Sequence, residues 1–284
     1  MRQSEALFQH VKNLPELFEE LREDFDGEIC AVAYSSKPRP VEGSYMPCFL
    51  AGESFGRSLA TMLDVPAYAF SHQEGHIEAI KVFTEMSFID DFLACHFSGG
   101  TCEILQVGPA RAGSTCTSDV YDIELIGGSK DISFGQVLDR AGVEMGFPFP
   151  CGERMDGIAL GQDECTHVLT PIKVENCQCN LSGIDTQIKN KLQTTDDPDG
   201  LIREIFEKIS DAIVRMLLQA SKRTGLNDVI MSGGVSSSRF IRAYISDALE
   251  EQGIIVYFED LDLSADNAVG TALLGGKYIW EPNR

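Results

Sequence analysis

Short apolar runs of strand length alternate with longer segments of helical periodicity along nearly the whole chain, an order that admits little besides an α/β fold. The runs EICAVAYSS, PAYAF, FLACHF, DVIMS and IIVYFED carry the β-branched and aromatic content of buried strands, and amphipathic stretches separate most of them. The first stretch, SEALFQHVKNLPELFEELREDF, opens on Ser4 as a helix cap, and Pro15 predicts a break or restart within it. In FLACHFSGGTCEILQVG two apolar runs meet at a Ser-Gly-Gly-Thr turn, which predicts a hairpin. From Phe92 onward the order is hairpin, strand, helix, strand, helix, strand, helix; the part before it offers helix, strand, helix, strand, helix and lacks an opening hairpin. This near-repetition predicts a duplicated fold of two lobes. Residues 1–89 form an incomplete first lobe, and 90–284 a second lobe with an insertion around 151–200.

Charge narrows the function classes. A net charge of -21 repels phosphate backbones, so work on nucleic acid calls for a basic partner. The nine cysteines are scattered rather than framed, and no signal segment precedes them, which predicts free thiols in a reducing cytoplasm. No apolar run approaches the roughly 20 residues of a membrane span.

The stretch SHQEGHIEAI places His72 and His76 four residues apart, on one face of a helix, where about 5–6 Å between Cβ atoms suits shared coordination of a divalent metal. A pair of half-buried histidines at a helix start is the open alternative. A zinc-peptidase helix carries its general-base glutamate directly after the first histidine; that position is Gln73, and Glu74 lies about 100° further round. His96, before a Gly-Gly turn, and Asp266, before the last helix, extend the metal set if they converge with the pair. Alone, the first reads as a core histidine and the second as a helix cap. The turns HFSGGT and MSGGVSSS put paired glycines after apolar strands, where backbone can approach phosphate or ribose, and Asp131 and Asp139 on the intervening helix are candidates to face that site. No Ser-His or Cys-His pair suggests a protein nucleophile.

These residues together resemble the tRNA threonylcarbamoyl transferase family, also called the glycoprotease or sialoglycoprotease-like family, within the actin-like ATPase superfamily. HQEGHIEA is similar to its metal motif, FSGGT and GGVSSSRFIR to its glycine turns, and DNAVGTA to its terminal motif; GQVLDRAGVEMGFPFPCG and NLSGIDT follow its order. The resemblance implies a two-lobed actin-like (ribonuclease H-like) α/β fold whose first lobe lacks its opening strands. His72, His76 and Asp266 then align with ligands to iron or zinc, and His96 stands where some members have a tyrosine. An ATP- or AMP-type nucleotide or threonylcarbamoyl adenylate maps to Ser98, Gly99, Gly100, Asp139 and Gly152, with Gly233, Gly234 and Ser238 at the second turn.

The implied reaction is metal-dependent transfer of a threonylcarbamoyl group to the tRNA adenosine next to the anticodon. The implied partners are the proteins of a tRNA-modification complex, including a related actin-like heterodimer partner, with tRNA bound only alongside them. Departures mark a divergent, N-terminally truncated branch. SSKPRPVEG replaces a Gly-Pro-Gly turn, Ser238 an asparagine and Gln136 a glutamate. A catalytically weak paralogue serving as a binding or regulatory module is the main alternative, and a metallopeptidase the lesser one. A missing first strand predicts an open sheet edge and, with it, oligomerisation or poor solubility.

Overall fold

The protein is described by a computed structural model covering residues 3–111, 118–258 and 268–280. In chain order its first elements are α1 (Gln3–Asp24), β1 (Val32–Lys37), α2 (Phe49–Leu63), β2 (Ala67–Ser71) and α3 (His72–Val82). There follow β3 (Phe92–Phe97), β4 (Cys102–Pro109), β5 (Tyr121–Ser129), α4 (Phe134–Glu144), α5 (Gly152–Gly161), β6 (Val174–Glu175) and β7 (Gln178–Cys179). The chain continues with α6 (Ser182–Leu192), α7 (Pro198–Thr224), β8 (Asp228–Ser232), α8 (Arg239–Glu250), β9 (Ile255–Phe258) and α9 (Val269–Trp280). The described residues form two units, the first comprising 3–82, 110–111, 118–122 and 268–280, the second 83–109 and 123–258.

In the first unit β1 and β2 run parallel, from Val32 opposite Ala67 to Ser35 opposite Phe70, with α2 as the crossover. Gly56 lets α2 lie close on β1, since a Cβ there would stand 2.6 Å from the Tyr34 ring. The crossover ends at Asp64, whose left-handed backbone (φ 55°) turns its N–H back onto the last carbonyls of α2. Contrary to the break expected at Pro15, α1 runs unbroken through it. Pro15 and Val11 are both exposed, so water can serve the Val11 carbonyl that the proline leaves without an amide partner. The closing helix α9 clusters with this unit and packs on α3 and β1.

The second unit is built on a seven-stranded sheet of order β6-β7-β5-β4-β3-β8-β9. The hairpin expected around Ser-Gly-Gly-Thr is β3 and β4, paired from Phe92 opposite Val107 to Phe97 opposite Cys102. On its other side β3 pairs in parallel with β8, from Leu93 opposite Val229 to His96 opposite Ser232. A strand flanked on both edges and covered on both faces must be apolar on both, which is why FLACHF reads as a continuous run rather than an alternation. The long helix α7 starts where Asp197 accepts the Gly200 N–H at 2.9 Å and stops at Gly225, φ 77°. Its stripe of Leu201, Ile205, Phe206, Ile209, Ile213 and Leu217 is fully buried, each side chain contributing about 1.5–3 kcal/mol of hydrophobic stabilisation. No helix among the described residues is long and apolar enough to cross a membrane.

Candidate functional site

The histidine motif begins with a capping box. Ser71 is the last residue of β2, and its hydroxyl accepts the Glu74 N–H at 3.2 Å while Glu74 Oε2 accepts the Ser71 N–H at 2.7 Å. Glu74 Oε2 also accepts the Ser71 hydroxyl at 2.6 Å, and Oε1 accepts the Ser118 hydroxyl at 2.5 Å. Buried and occupied in this way, Glu74 has no oxygen facing a metal-bound water, so the nearest acid to the histidines is structural rather than a peptidase base.

The helix that this box starts puts His72 and His76 on one face. Their Nε2 atoms are 3.1 Å apart, His76 is buried, and the Phe49 ring lies 5.6 Å from His72. Nitrogens each about 2.1 Å from one zinc or iron ion stand roughly 3.0–3.4 Å apart, so this donor pair fits such an ion as it stands. Between the histidines, Gly75 lies against α9: a Cβ there would come 2.8 Å from Thr271 Oγ1, and one on Gly270 would fall 1.8 Å from Gly75 O. The glycine of the motif is thus a helix-contact glycine. Among the described residues no group of three His, Cys, Asp or Glu gathers, and Asp266 lies outside them.

In the second unit the two glycine turns sit at the C-terminal ends of neighbouring parallel strands, β3 and β8. At the first, Ser98 Oγ accepts the Gly100 and Thr101 N–H groups at 3.3 and 3.0 Å. At the second, Gly233 holds φ 92° with no room for a Cβ, which would stand 2.5 Å from Phe97 O. The start of α4 docks on the first turn: Ser133 Oγ donates to Gly99 O at 2.8 Å, and a Cβ on Gly135 would lie 2.7 Å from Gly99 N. A Cβ at Gly100, Gly234 or Gly152 would meet nothing within 4 Å, so those backbones are open to a ligand. Beside the first turn is a cavity of ≈ 570 Å³ lined by Gly99, Gln136, Asp139, Arg140, Phe149 and Lys189 among others. Asp139 Oδ1 accepts the Cys151 N–H at 2.9 Å, fixing the segment before Gly152, while Oδ2 lies on the Gly99 side. Half-buried on β3, His96 pairs in register with Glu103 on β4 and Ser232 on β8.

The sequence matches the family of tRNA N6-adenosine threonylcarbamoyltransferases over residues 4–273. The chain belongs to that family. Among its relatives, the tRNA N6-adenosine threonylcarbamoyltransferase of Neorickettsia sennetsu is 28% identical over 92% of this chain and 76% of its own length. That of Christiangramia forsetii is 27% identical over 89% and 73%, and that of Dichelobacter nodosus 26% over 92% and 74%. Two solved HypF structures share the fold. HypF of T. kodakarensis aligns with TM-score 0.58 at 13% identity over 81% of this chain. The phosphate- and nucleotide-bound full-length HypF aligns with TM-score 0.62 at 12% over 90%. The chain spans only 39% and 47% of those two chains, and the likeness establishes the actin-like ATPase fold alone.

Against the family pattern, several polar residues turn out to be committed to structure. Ser238 caps α8, accepting the Ile241 N–H at 3.1 Å, and its hydroxyl donates a hydrogen bond to Asp156 Oδ1. Asp131 precedes α4 rather than riding on it, and its carboxylate caps α6 through the Leu181 and Ser182 N–H groups at 2.8 and 3.0 Å. Burial pushes this carboxyl up, but the bonds from Leu181, Ser182 and Ile132 outweigh it and hold the group well below the usual carboxylate range. A depressed pKa means stability that is present above the unfolded value and lost as pH falls through the folded one. Asp131→Ala is therefore expected to cost about 1 kcal/mol at neutral pH. The gap to wild type should close below about pH 4, measured by urea unfolding across pH.

Two contacts resemble catalytic pairs. Cys165 Sγ lies 3.2 Å from His167 Nδ1, and Ser232 Oγ 3.2 Å from His96 Nδ1. Neither is an activated nucleophile. Burial, with Glu207 and Glu204 nearby, pushes the Cys165 thiol up, and Ser232 is buried with its hydroxyl 3.3 Å from Cys95 O.

Proposed function

We propose that the protein transfers a threonylcarbamoyl group from its adenylate to the tRNA adenosine next to the anticodon. The observation that carries this reading is the second unit's pair of open glycine turns at neighbouring parallel strand ends, beside a cavity into which Asp139 presents a carboxylate. Under this reading the cavity takes the nucleoside: Asp139 Oδ2 accepts a ribose hydroxyl, and Phe149, 74% exposed, offers the base an apolar face. The open backbones at Gly100 and Gly234 face the phosphate, with Ser98 shaping the first turn.

His72 and His76 would hold one iron or zinc ion through their adjacent Nε2 atoms. When bound, the metal supplies Lewis acidity toward the carbonyl under attack. In the reaction the exocyclic adenosine nitrogen attacks the carbonyl carbon, a C–N bond forms, the C–O bond to phosphate breaks, and AMP leaves with that electron pair. The proton of the attacking amine goes to solvent. No protein nucleophile is needed, in keeping with the unactivated states of Cys165 and Ser232. The reading places tRNA on basic partner proteins, because a chain of net charge -21 attracts no polyanion by itself.

The test is an in vitro transfer assay with the full chain, proteins of the tRNA-modification complex, radiolabelled threonylcarbamoyl adenylate and unmodified tRNA. Label at the adenosine beside the anticodon is expected, abolished by His72→Ala/His76→Ala. No label, with AMP bound normally, would replace the enzyme by a binding or regulatory module, a reading that the committed Ser238 hydroxyl favours.

A further inference from the structure

On the wall of the cavity beside the first glycine turn stands a polar side chain that the proposed reaction does not use. Gln136 is half-buried there, on α4, together with Gly99 and Asp139. Its backbone N–H is taken at 3.2 Å by the hydroxyl of Ser133, the cap of α4. Ser133 and Gln136 thus have the spacing of a capping box, in which the second side chain reaches back to the N–H of the first. Ser71 and Glu74 make both halves of that exchange at the start of α3. At α4 only the serine half forms, and among the described residues the Gln136 carboxamide has no hydrogen-bond partner.

Position and charge give this side chain a use. α4 lines the cavity with Gln136, then Asp139 and Arg140, then Val143, about one helical turn apart. Gln136 is the member nearest the glycine turn, because the helix start docks there: Ser133 Oγ donates to Gly99 O, and Gly135 packs against Gly99 N. With the ribose on Asp139 and the base on Phe149, the phosphate falls at the Gln136 end. A glutamate at this position would suit the helix better, since it could complete the box and would meet the positive end of the helix dipole. Beside a phosphate it would be repelled, whereas a carboxamide carries no charge and offers two N–H donors.

We propose that Gln136 is a phosphate-binding residue of this cavity: its carboxamide donates to an oxygen of the nucleotide's phosphoryl group, and its neutrality lets the cavity favour nucleoside phosphates over nucleosides. This inference rests on the nucleotide reading given under the proposed function. It deepens that reading by assigning selection for the phosphate to a side chain as well as to the open backbones of Gly100 and Gly234.

The experiment is isothermal titration of AMP and of adenosine into the full chain, wild type beside Gln136→Met and Gln136→Glu. Methionine keeps the length and helix preference of glutamine without its donors, and glutamate keeps the shape and adds a charge. Gln136→Met is expected to bind AMP about tenfold more weakly than wild type. Gln136→Glu should bind it more weakly still, by a margin that shrinks as salt is raised, a dependence that a merely structural role would not produce. Adenosine affinity should stay within about twofold of wild type in both variants. AMP affinities within about twofold of wild type, equal losses for AMP and adenosine, or a wild type that holds adenosine as tightly as AMP overturn the phosphate role and leave the nucleoside site standing. A wild type that binds neither ligand overturns the nucleotide reading and this inference together.

Discussion

Gly270→Ala is expected to destabilise the protein by about 3 kcal/mol, which is large for one added methyl group. The new Cβ would fall 1.8 Å from Gly75 O, 2.7 Å from Gly75 C and 2.8 Å from Ala79 N, all backbone atoms of the facing helix. Backbone cannot rotate aside as a side chain can, so α9 must slide or lift from α3. Either movement strains the Lys277–Glu78 contacts and the 3.3 Å contact between Ser35 Oγ and Thr271 Oγ1. Gly75→Ala meets a softer obstacle, since its Cβ would stand 2.8 Å from Thr271 Oγ1, a hydroxyl that can turn away. Its expected cost is about 1 kcal/mol. Urea unfolding of both variants, monitored by far-UV dichroism, gives the comparison. An equal or reversed order of the two losses would mean that the helices are not in the contact described.

The same interface shows what the sequence carries and what it hides. The hairpin, the parallel strands and the glycine turns were legible because each is written in adjacent residues: apolar runs of the right length punctuated by Ser-Gly-Gly. His72 and His76 were legible as a pair because helix geometry alone brings positions four apart together. The role of Glu74 is also written locally, since Ser71-His-Gln-Glu74 has capping-box spacing. Asp131 as the cap of α6, Glu78 as the partner of Lys277 and the contact of Gly75 with Gly270 were not legible, because tertiary folding alone brings those residues together. Pro15 misled for a related reason: the cost of an interior proline is set by whether the freed carbonyl can reach water, and burial is not written in the local sequence. Polar residues near a family motif are thus divided between chemistry and structure by partners that one sequence does not reveal.

Asp139 is the residue whose loss should most weaken nucleotide binding, because it alone among the proposed contacts presents a carboxylate beside the open turn. A charge-assisted hydrogen bond to a ribose hydroxyl contributes about 1.5–3 kcal/mol, so Asp139→Ala is expected to lower AMP affinity roughly 10- to 150-fold. Part of that loss comes through the fold, as Asp139 Oδ1 also holds the Cys151 N–H at 2.9 Å and with it the segment leading to Gly152. Asp139→Asn separates the two contributions. Its amide oxygen still accepts from Cys151 while the charge is gone, so its affinity should lie between those of wild type and alanine. Ser238→Ala supplies the contrast: its hydroxyl is spent on Asp156 and on the Ile241 N–H, so the substitution should cost about 1 kcal/mol of stability and leave AMP affinity nearly unchanged. Isothermal titration of AMP into the four proteins decides the matter. Wild-type affinity in Asp139→Ala, or a larger loss in Ser238→Ala, would move the nucleotide away from the cavity beside Gly99 and toward the second turn.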